Sequence, residues 1–536
     1  LREQAARALV NKGITLSQLG RPQAEIAAYD QAVAIFGDAT EPGAREAVAK
    51  ALAYKAITLN QLGRPQEEIL VYDQMAARFG DAAEPAVREQ AAKALVNKGI
   101  TLGQLGGPQE EIAAYDQLVT RFGDAAEPAV REQVAKALVN KGITLGQLGR
   151  RQEEIAAYDQ LVTRFGGAAE PALRERAAMA LVYRGITLGR LGRKKEEIAA
   201  YDDVVARFGG APEAGPRGQV ARALVYKGVT LGELRQFAEA VAVLEQVIRQ
   251  FGDAPEAVLR EQVATAMVKK GVHLGLLGQL RQEVAAYDQV VERFGDAPEA
   301  TVQEQVARAL VYKGNTLGQL GCPEDELATY DQVATRFGDA AGATLRRQVV
   351  KALVFKAITL GELGQSAQAV TAYEQVVARF GDAPEAAIRE HVAKALVEMG
   401  MRLGQLGQSA RAVATYDEVV VRFGDASGSV LREQVAVALV RKGIRLGQLG
   451  RQQDEMAAYE QVVARFGDAS EVVLREQVAR ALVFLGTRLE RQGQPARAVA
   501  VYEQVVVRFG DASDAALREH VSAARRSRAR LQRRTG

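Results

Sequence analysis

The side chains that could carry out chemistry are few and dispersed. The sequence holds three histidines, His273, His391 and His520, and a single cysteine, Cys322. No spacing among them matches a metal-ligand set. Cys322 lies in the turn GCPEDE and reads as an exposed thiol rather than a nucleophile. No GxxxxGK[ST] loop is present to cradle a phosphate. Carboxylates are abundant, but they recur at a fixed interval, as structural residues do, so none stands out as a general acid or base. The expectation is a non-enzymatic chain without metal or cofactor. With one cysteine no disulfide can form within the chain, and a reducing compartment, the cytoplasm, is the expected location.

Charge recurs in a way that does need an explanation. The stretch KALVNKGITLGQLG (136–149) carries two lysines, and at 100° per residue they point in different directions. Lys136 falls on a polar stripe with Asn140, Thr144 and Gln147. Lys141 falls among Ala137, Leu138, Leu145 and Leu148, the side expected to be buried. The arrangement repeats. Tyr29, Tyr72, Tyr115, Tyr158 and Tyr201 begin a series with a period of 43 residues that runs through Leu244 to Tyr502 without an insertion. A fixed period of this length marks a solenoid, here of twelve repeats.

Two helices per repeat must position these residues. The first, REQVAKALVNKGITLGQLG (131–149), opens near Pro128, which suits a first helical turn, and stops at Gly149. The second, EEIAAYDQLVTRF (153–165), sets Ile155, Tyr158, Val162 and Phe165 on one face. Nothing alternates with the period of a strand. The fold class expected is all-α.

The unit resembles the tetratricopeptide repeat (TPR) along essentially the whole chain. Leu138, Gly142, Leu145, Gly149, Ile155 and Tyr158 follow the order of that family's two-helix motif, and GQSAQAVTAYEQVVARF (364–380) adds its small residue, Ala369. The departure is length, 43 residues against about 34. The resemblance implies a right-handed α-solenoid superhelix of about twelve repeats, with first helices lining a concave groove that commonly holds an extended peptide. On this reading residues 1–517 form a single solenoid. Residues 518–536, with seven Arg and one Glu, form a basic closing helix or tail.

At the Lys141 and Glu154 positions the chain departs from the family together. Eight repeats have Glu at the second position, and all eight have Lys or Arg at the first, as in Lys98 with Glu111 and Lys141 with Glu154. The reading is an ion pair between the two helices of one repeat. The alternative is a lysine whose stem is buried and whose head reaches water.

The polar stripe of the first helices is the candidate binding surface: Lys93, Asn97, Lys136, Asn140, Tyr183, Tyr226, Arg308, Tyr312, Lys351 and Phe355. Over twelve repeats the five stripe positions hold 17 Lys or Arg against three Glu. Such a field would steer an acidic partner. Against this, Glu132 four residues before Lys136 should form a helix-surface pair and neutralise part of the excess. A row of small residues, Ala135, Val139, Gly142 and Gly146, suggests close approach by the first helix of the adjacent repeat, or a softened helix. The partner expected is a protein or extended peptide. A sensor or spacer arm of a larger protein is the alternative, and the long repeat and acidic flank argue against nucleic acid. No apolar run is long enough for a membrane span. The sequence opens at Leu1 within a helix, so it reads as a piece of a longer protein, and the open ends of such a stack leave room for end-to-end association of the fragment.

Overall fold

The computed structural model describes the backbone of residues 1–535 and side chains through Arg533. Gly536 and the Arg534 side chain, part of the basic tail, lie outside the described residues. The described residues form 25 helices and no strand. Two compact units are distinguished, Leu1–His273 and Leu274–Gly536, and each is built in the same way.

Between a first helix of 17 residues and a last of 21, the helices alternate between 15 and 20 residues. In the fourth repeat the first helix, α7, is Pro128–Gln147 and the second, α8, is Arg151–Phe165. The third repeat supplies α5 (Pro85–Gln104) and α6 (Pro108–Phe122), and the fifth α9 (Pro171–Arg190) and α10 (Lys194–Phe208). Proline stands first in α5, α7 and α9, where a missing N–H costs no hydrogen bond. The first helices end ahead of a left-handed residue. Gly149, at φ 75°, accepts this without strain.

One repeat departs at that turn. Arg235 takes the same left-handed conformation, φ 60°, where eleven repeats have glycine. Left-handed backbone costs an L-residue roughly 1–2 kcal/mol, partly offset by the entropy glycine loses on folding. Arg235→Gly is therefore expected to stabilise the joint between α11 (Ala214–Glu233) and α12 (Phe237–Phe251) by about 0.5–1 kcal/mol. Slower amide exchange in those two helices is the check.

The core lies between the two layers of helices. Ala137, Leu138 and Leu145 of α7 and Tyr158, Leu161 and Phe165 of α8 are essentially buried. Complete burial of a side chain such as Phe165 contributes about 1.5–3 kcal/mol. Within each unit, successive first helices also pack side by side, as α7 does on α5 and α9. Charged ties reinforce the stacking. Arg131, near the start of α7, pairs with Glu170 at the N-cap of α9, and Arg88 with Glu127 (2.6 Å) and Arg174 with Glu213 (3.0 Å) repeat the contact. In the second unit Arg346 with Glu385 and Arg432 with Glu471, each at 2.6 Å, do the same. The last helix, α25 (Ala515–Thr535), packs on α24 (Pro495–Phe509) and on α23 (Val472–Arg491).

Candidate functional site

Lys141 does not pair with Glu154. Its ammonium meets Asp116 on α6, in the preceding repeat, and Lys98 likewise meets Asp73 (2.5 Å) rather than Glu111. Lys227 with Asp202 and Lys356 with Asp331 make the same contact although their own repeats have Ala at the glutamate position. The stem is packed and the head reaches a half-exposed carboxylate, so the link is between repeats, not within one. An ion pair this exposed contributes about 0–1 kcal/mol. Lys141→Leu, which copies Leu485 at the equivalent place, should shift the urea midpoint by less than ~1 kcal/mol of stability. A larger loss would mean that the pair, not the stem, holds the repeats together.

Glu154 has a different task. It is buried, and its carboxylate accepts hydrogen bonds from Thr187 Oγ1 on α9 (2.7 Å) and from Arg151 (3.0 Å). Thr58 on Glu25 (2.7 Å), Thr230 on Glu197 (2.8 Å) and Thr359 on Glu326 (2.8 Å) repeat this bond at a separation of 33 residues. Tyrosine one turn further along the second helix also donates to it, as Tyr72 does to Glu68 (2.8 Å) and Tyr287 to Glu283 (2.9 Å). Burial, with the neighbouring carboxylate, pushes the Tyr158 hydroxyl well above its ordinary pKa. Thr144 is likewise buried, its hydroxyl donating to the Asn140 carbonyl (3.1 Å), and so does not belong to the polar stripe.

Where the glutamate is missing, the next repeat compensates. Ala240, Ala369 and Ala412 are followed 33 residues on by His273, Arg402 and Arg445 in place of threonine. Each of these larger side chains lies over a glycine of the preceding first helix: His273 over Gly232, Arg402 over Gly361 and Arg445 over Gly404. In the glutamate repeats the carboxylate fills the same hollow, Glu154 over Gly146. Gly142 in turn makes room for the Tyr158 ring. Gly142 and Gly146 of the small-residue row thus receive side chains of the second helix. Comparing successive repeats, rather than the two helices of one, would have revealed this coupling in the sequence.

On the outer face of the first helices Lys136, Asn140 and the half-exposed Ile143 and Gln147 remain available. The aromatic positions are half-buried. Tyr183 packs on Tyr158 (5.9 Å between ring centroids), Tyr226 on Tyr201 (6.0 Å), Tyr312 on Tyr287 (6.0 Å) and Phe355 on Tyr330 (6.1 Å). Each ring is thereby held against a buried one and is only partly open to solvent. Asn97 is exposed, and Asn140 donates to Tyr115 Oη (3.4 Å). Lys93 is neutralised by Glu89, but Glu132 turns to Arg176 of the next repeat (3.3 Å) instead of to Lys136.

Crevices open between neighbouring first helices. One of about 510 Å³ lies between α7 and α9, with Ile143, Tyr183 and Ile186 as apolar walls, Glu154 at its base and Arg190 and Gln147 at its rim. In the second unit its counterpart, about 430 Å³, lies between α21 (Ser429–Gln448) and α23 and is lined by Ile444, Phe484, Arg491 and Gln448. The described residues contain no cluster of His, Cys, Asp or Glu able to hold a metal ion. Cys322 is half-buried rather than exposed, at the N-cap of α16 (Pro323–Phe337). No described helix is long and apolar enough to cross a membrane.

Sequence profiles of the tetratricopeptide repeat match residues 6–38, 222–254 and 353–383, each spanning the end of a first helix and the whole of a second. The chain carries tetratricopeptide repeats. No curated protein matches it in sequence. Among solved structures the chain is similar to a tetratricopeptide repeat protein from Parabacteroides merdae, with 13% identity over 57% of this chain and 99% of that one and a TM-score of 0.32. Yeast Tom70 gives 10% identity, 99% and 97% coverage and a TM-score of 0.33. Cut9 of the APC/C hetero-tetramer Cut9–Hcn1 gives 11%, 98%, 96% and 0.30. TPR solenoids are generally non-catalytic and commonly mediate protein–protein interaction, and no catalytic family is indicated for this TPR chain.

Proposed function

We propose that the chain is a non-enzymatic scaffold that holds an extended, acidic segment of a protein partner along the exposed faces of its first helices. Residues 1–517 act as one array of repeats on this reading, and the basic helix that follows closes its end. The observation that carries the proposal is the crevice between α7 and α9. It is concave and apolar-walled, with a few polar groups at its edge, as peptide-binding sites are. The aromatic side chains at Tyr183, Tyr226, Tyr312 and Phe355 are held from behind by buried tyrosines, so a ligand would find them already ordered. Lys136, Arg308 and Lys351 supply the positive field.

Selection of a random peptide library on the immobilised chain tests this. Enriched peptides are expected to bind at least roughly tenfold more weakly to a variant carrying Tyr183→Ala, Tyr226→Ala, Tyr312→Ala and Phe355→Ala. Circular dichroism confirms that the variant is folded. Equal binding by both proteins would place the surface elsewhere.

A further inference from the structure

One repeat reverses the charge logic of the others. At the Glu132 position ten repeats have glutamate, one has Gly218, and the ninth has Arg347. The glutamate's role is visible in the first three repeats, where Glu3 pairs with Arg7 (2.6 Å), Glu46 with Lys50 (2.7 Å) and Glu89 with Lys93. In the ninth repeat the residue four before Lys351 is an arginine, so the local counter-charge has become a second cation.

The neighbouring repeats enlarge the cluster. Arg308 and Lys394 occupy the Lys351 position on α15 (Ala300–Gln319) and α19 (Ala386–Gln405), which pack on either side of α17 (Ala343–Glu362). Among the described residues no carboxylate lies within 4.0 Å of any of the four cations, although Glu304 and Glu390 precede Arg308 and Lys394 by one helical turn. Arg308 reaches only the amide oxygen of Gln305 (3.2 Å), and the buried Nε of Arg347 has no acceptor. Burial, together with repulsion from Arg347 and Arg308, pushes the Lys351 ammonium below the usual lysine range. His391, beside them, is held neutral by burial and by Lys351, Lys394 and Arg347, with a pKa of about 4, so at neutral pH it can donate a hydrogen bond without adding charge. Gln348 is buried in the same segment.

We propose that Arg308, Arg347, Lys351 and Lys394 receive a phosphoryl group carried on a peptide of the partner, a reading that rests on the first-helix face being the binding surface. Four crowded cations without a protein counter-ion call for more negative charge than one carboxylate brings. A phosphoryl group carries about −1.5 to −2 at pH 7 and three acceptor oxygens. The planar guanidinium of Arg347 matches two of them at once, while Lys351 and Lys394 act as point charges. Tyr312 and Phe355, one turn beyond Arg308 and Lys351, would flank the group with apolar contact.

The test compares two arrays of random peptides that differ only at a fixed central residue, serine or phosphoserine. The original chain is expected to retain the phosphoserine array at least roughly tenfold better, the effect of one or two charge-assisted hydrogen bonds. Arg347→Glu should abolish that preference. The variant restores the residue that ten repeats carry and gives Lys351 its i,i+4 partner, so it is expected to fold, which circular dichroism checks. Equal retention of both arrays, or a preference that survives in Arg347→Glu, would overturn the proposal. So would inorganic phosphate that competes as strongly, mole for mole, as a retained phosphopeptide, since the peptide would then contribute nothing. Failure of the groove reading gives a different result. Serine peptides would bind a Tyr312→Ala, Phe355→Ala variant as well as the original, whatever becomes of the phosphate preference.

Discussion

Gly142→Val is expected to destabilise the first unit by about 1–3 kcal/mol, the range found for overpacking of a filled core. Helix propensity alone predicts the opposite sign, since glycine within a helix is the worse residue by a few tenths of a kcal/mol. The structure decides between them. A β-carbon at Gly142 would already press on the Tyr158 ring, which is only 1% exposed and cannot swing away. Two repeats carry Ala56 and Ala357 at this place, facing Tyr72 and Tyr373, so one methyl group marks what the ring tolerates. Valine exceeds it. Because repeat arrays need not unfold in one step, the loss is best read as faster amide exchange in α7 and α8 together with a lower urea midpoint. A rise in stability would remove the packing role assigned to the glycine.

Loss of the buried glutamate has the second large effect. Glu154→Ala should cost about 1–3 kcal/mol, because Thr187 loses its acceptor and the hollow over Gly146 is emptied. Adding Thr187→Arg should recover most of that loss. The pair then reproduces the combination found at Ala369 with Arg402 and at Ala412 with Arg445. Thr187→Arg by itself is compatible with the site, since Arg488 forms an ion pair with the buried Glu455 in the eleventh and twelfth repeats. A double-mutant cycle measures the coupling, expected to be at least ~1 kcal/mol. Additive effects would mean that the covariation between successive repeats has no energetic basis.

These two positions also show where the sequence could be read and where it could not. Period, helix ends and core face were legible because each rests on geometry within one helix: Pro128 at the start of α7, Gly149 after its end, Tyr158 and Phe165 on one side of α8. A helical wheel gives the direction of a side chain but not the helix it meets. In a solenoid each first helix touches its own second helix and also those of the neighbouring repeats. Lys141 and Glu154 were therefore each placed on the correct side of their helices and assigned to the wrong partners. Thr144 was placed on the polar stripe for a related reason, since its hydroxyl reads as solvent-facing until the carboxylates that its equivalents meet, such as Glu154 for Thr187, are located. Ile143, next to the buried Thr144, is exposed, and the aromatic positions of the stripe are half-buried.

The first-helix face, rather than the outer face of the second helices, is expected to take the partner. The outer face offers a real competitor, since Leu70, Val421 and Val507 are 66%, 84% and 77% exposed there. Oxidative footprinting with and without a peptide recovered from the library selection distinguishes the two surfaces. Protection is expected at Ile143, Tyr183 and Ile186, or at their counterparts Ile444 and Phe484, with Leu70, Val421 and Val507 unchanged. Protection of Leu70, Val421 or Val507 with the first-helix residues unchanged would contradict the first-helix assignment.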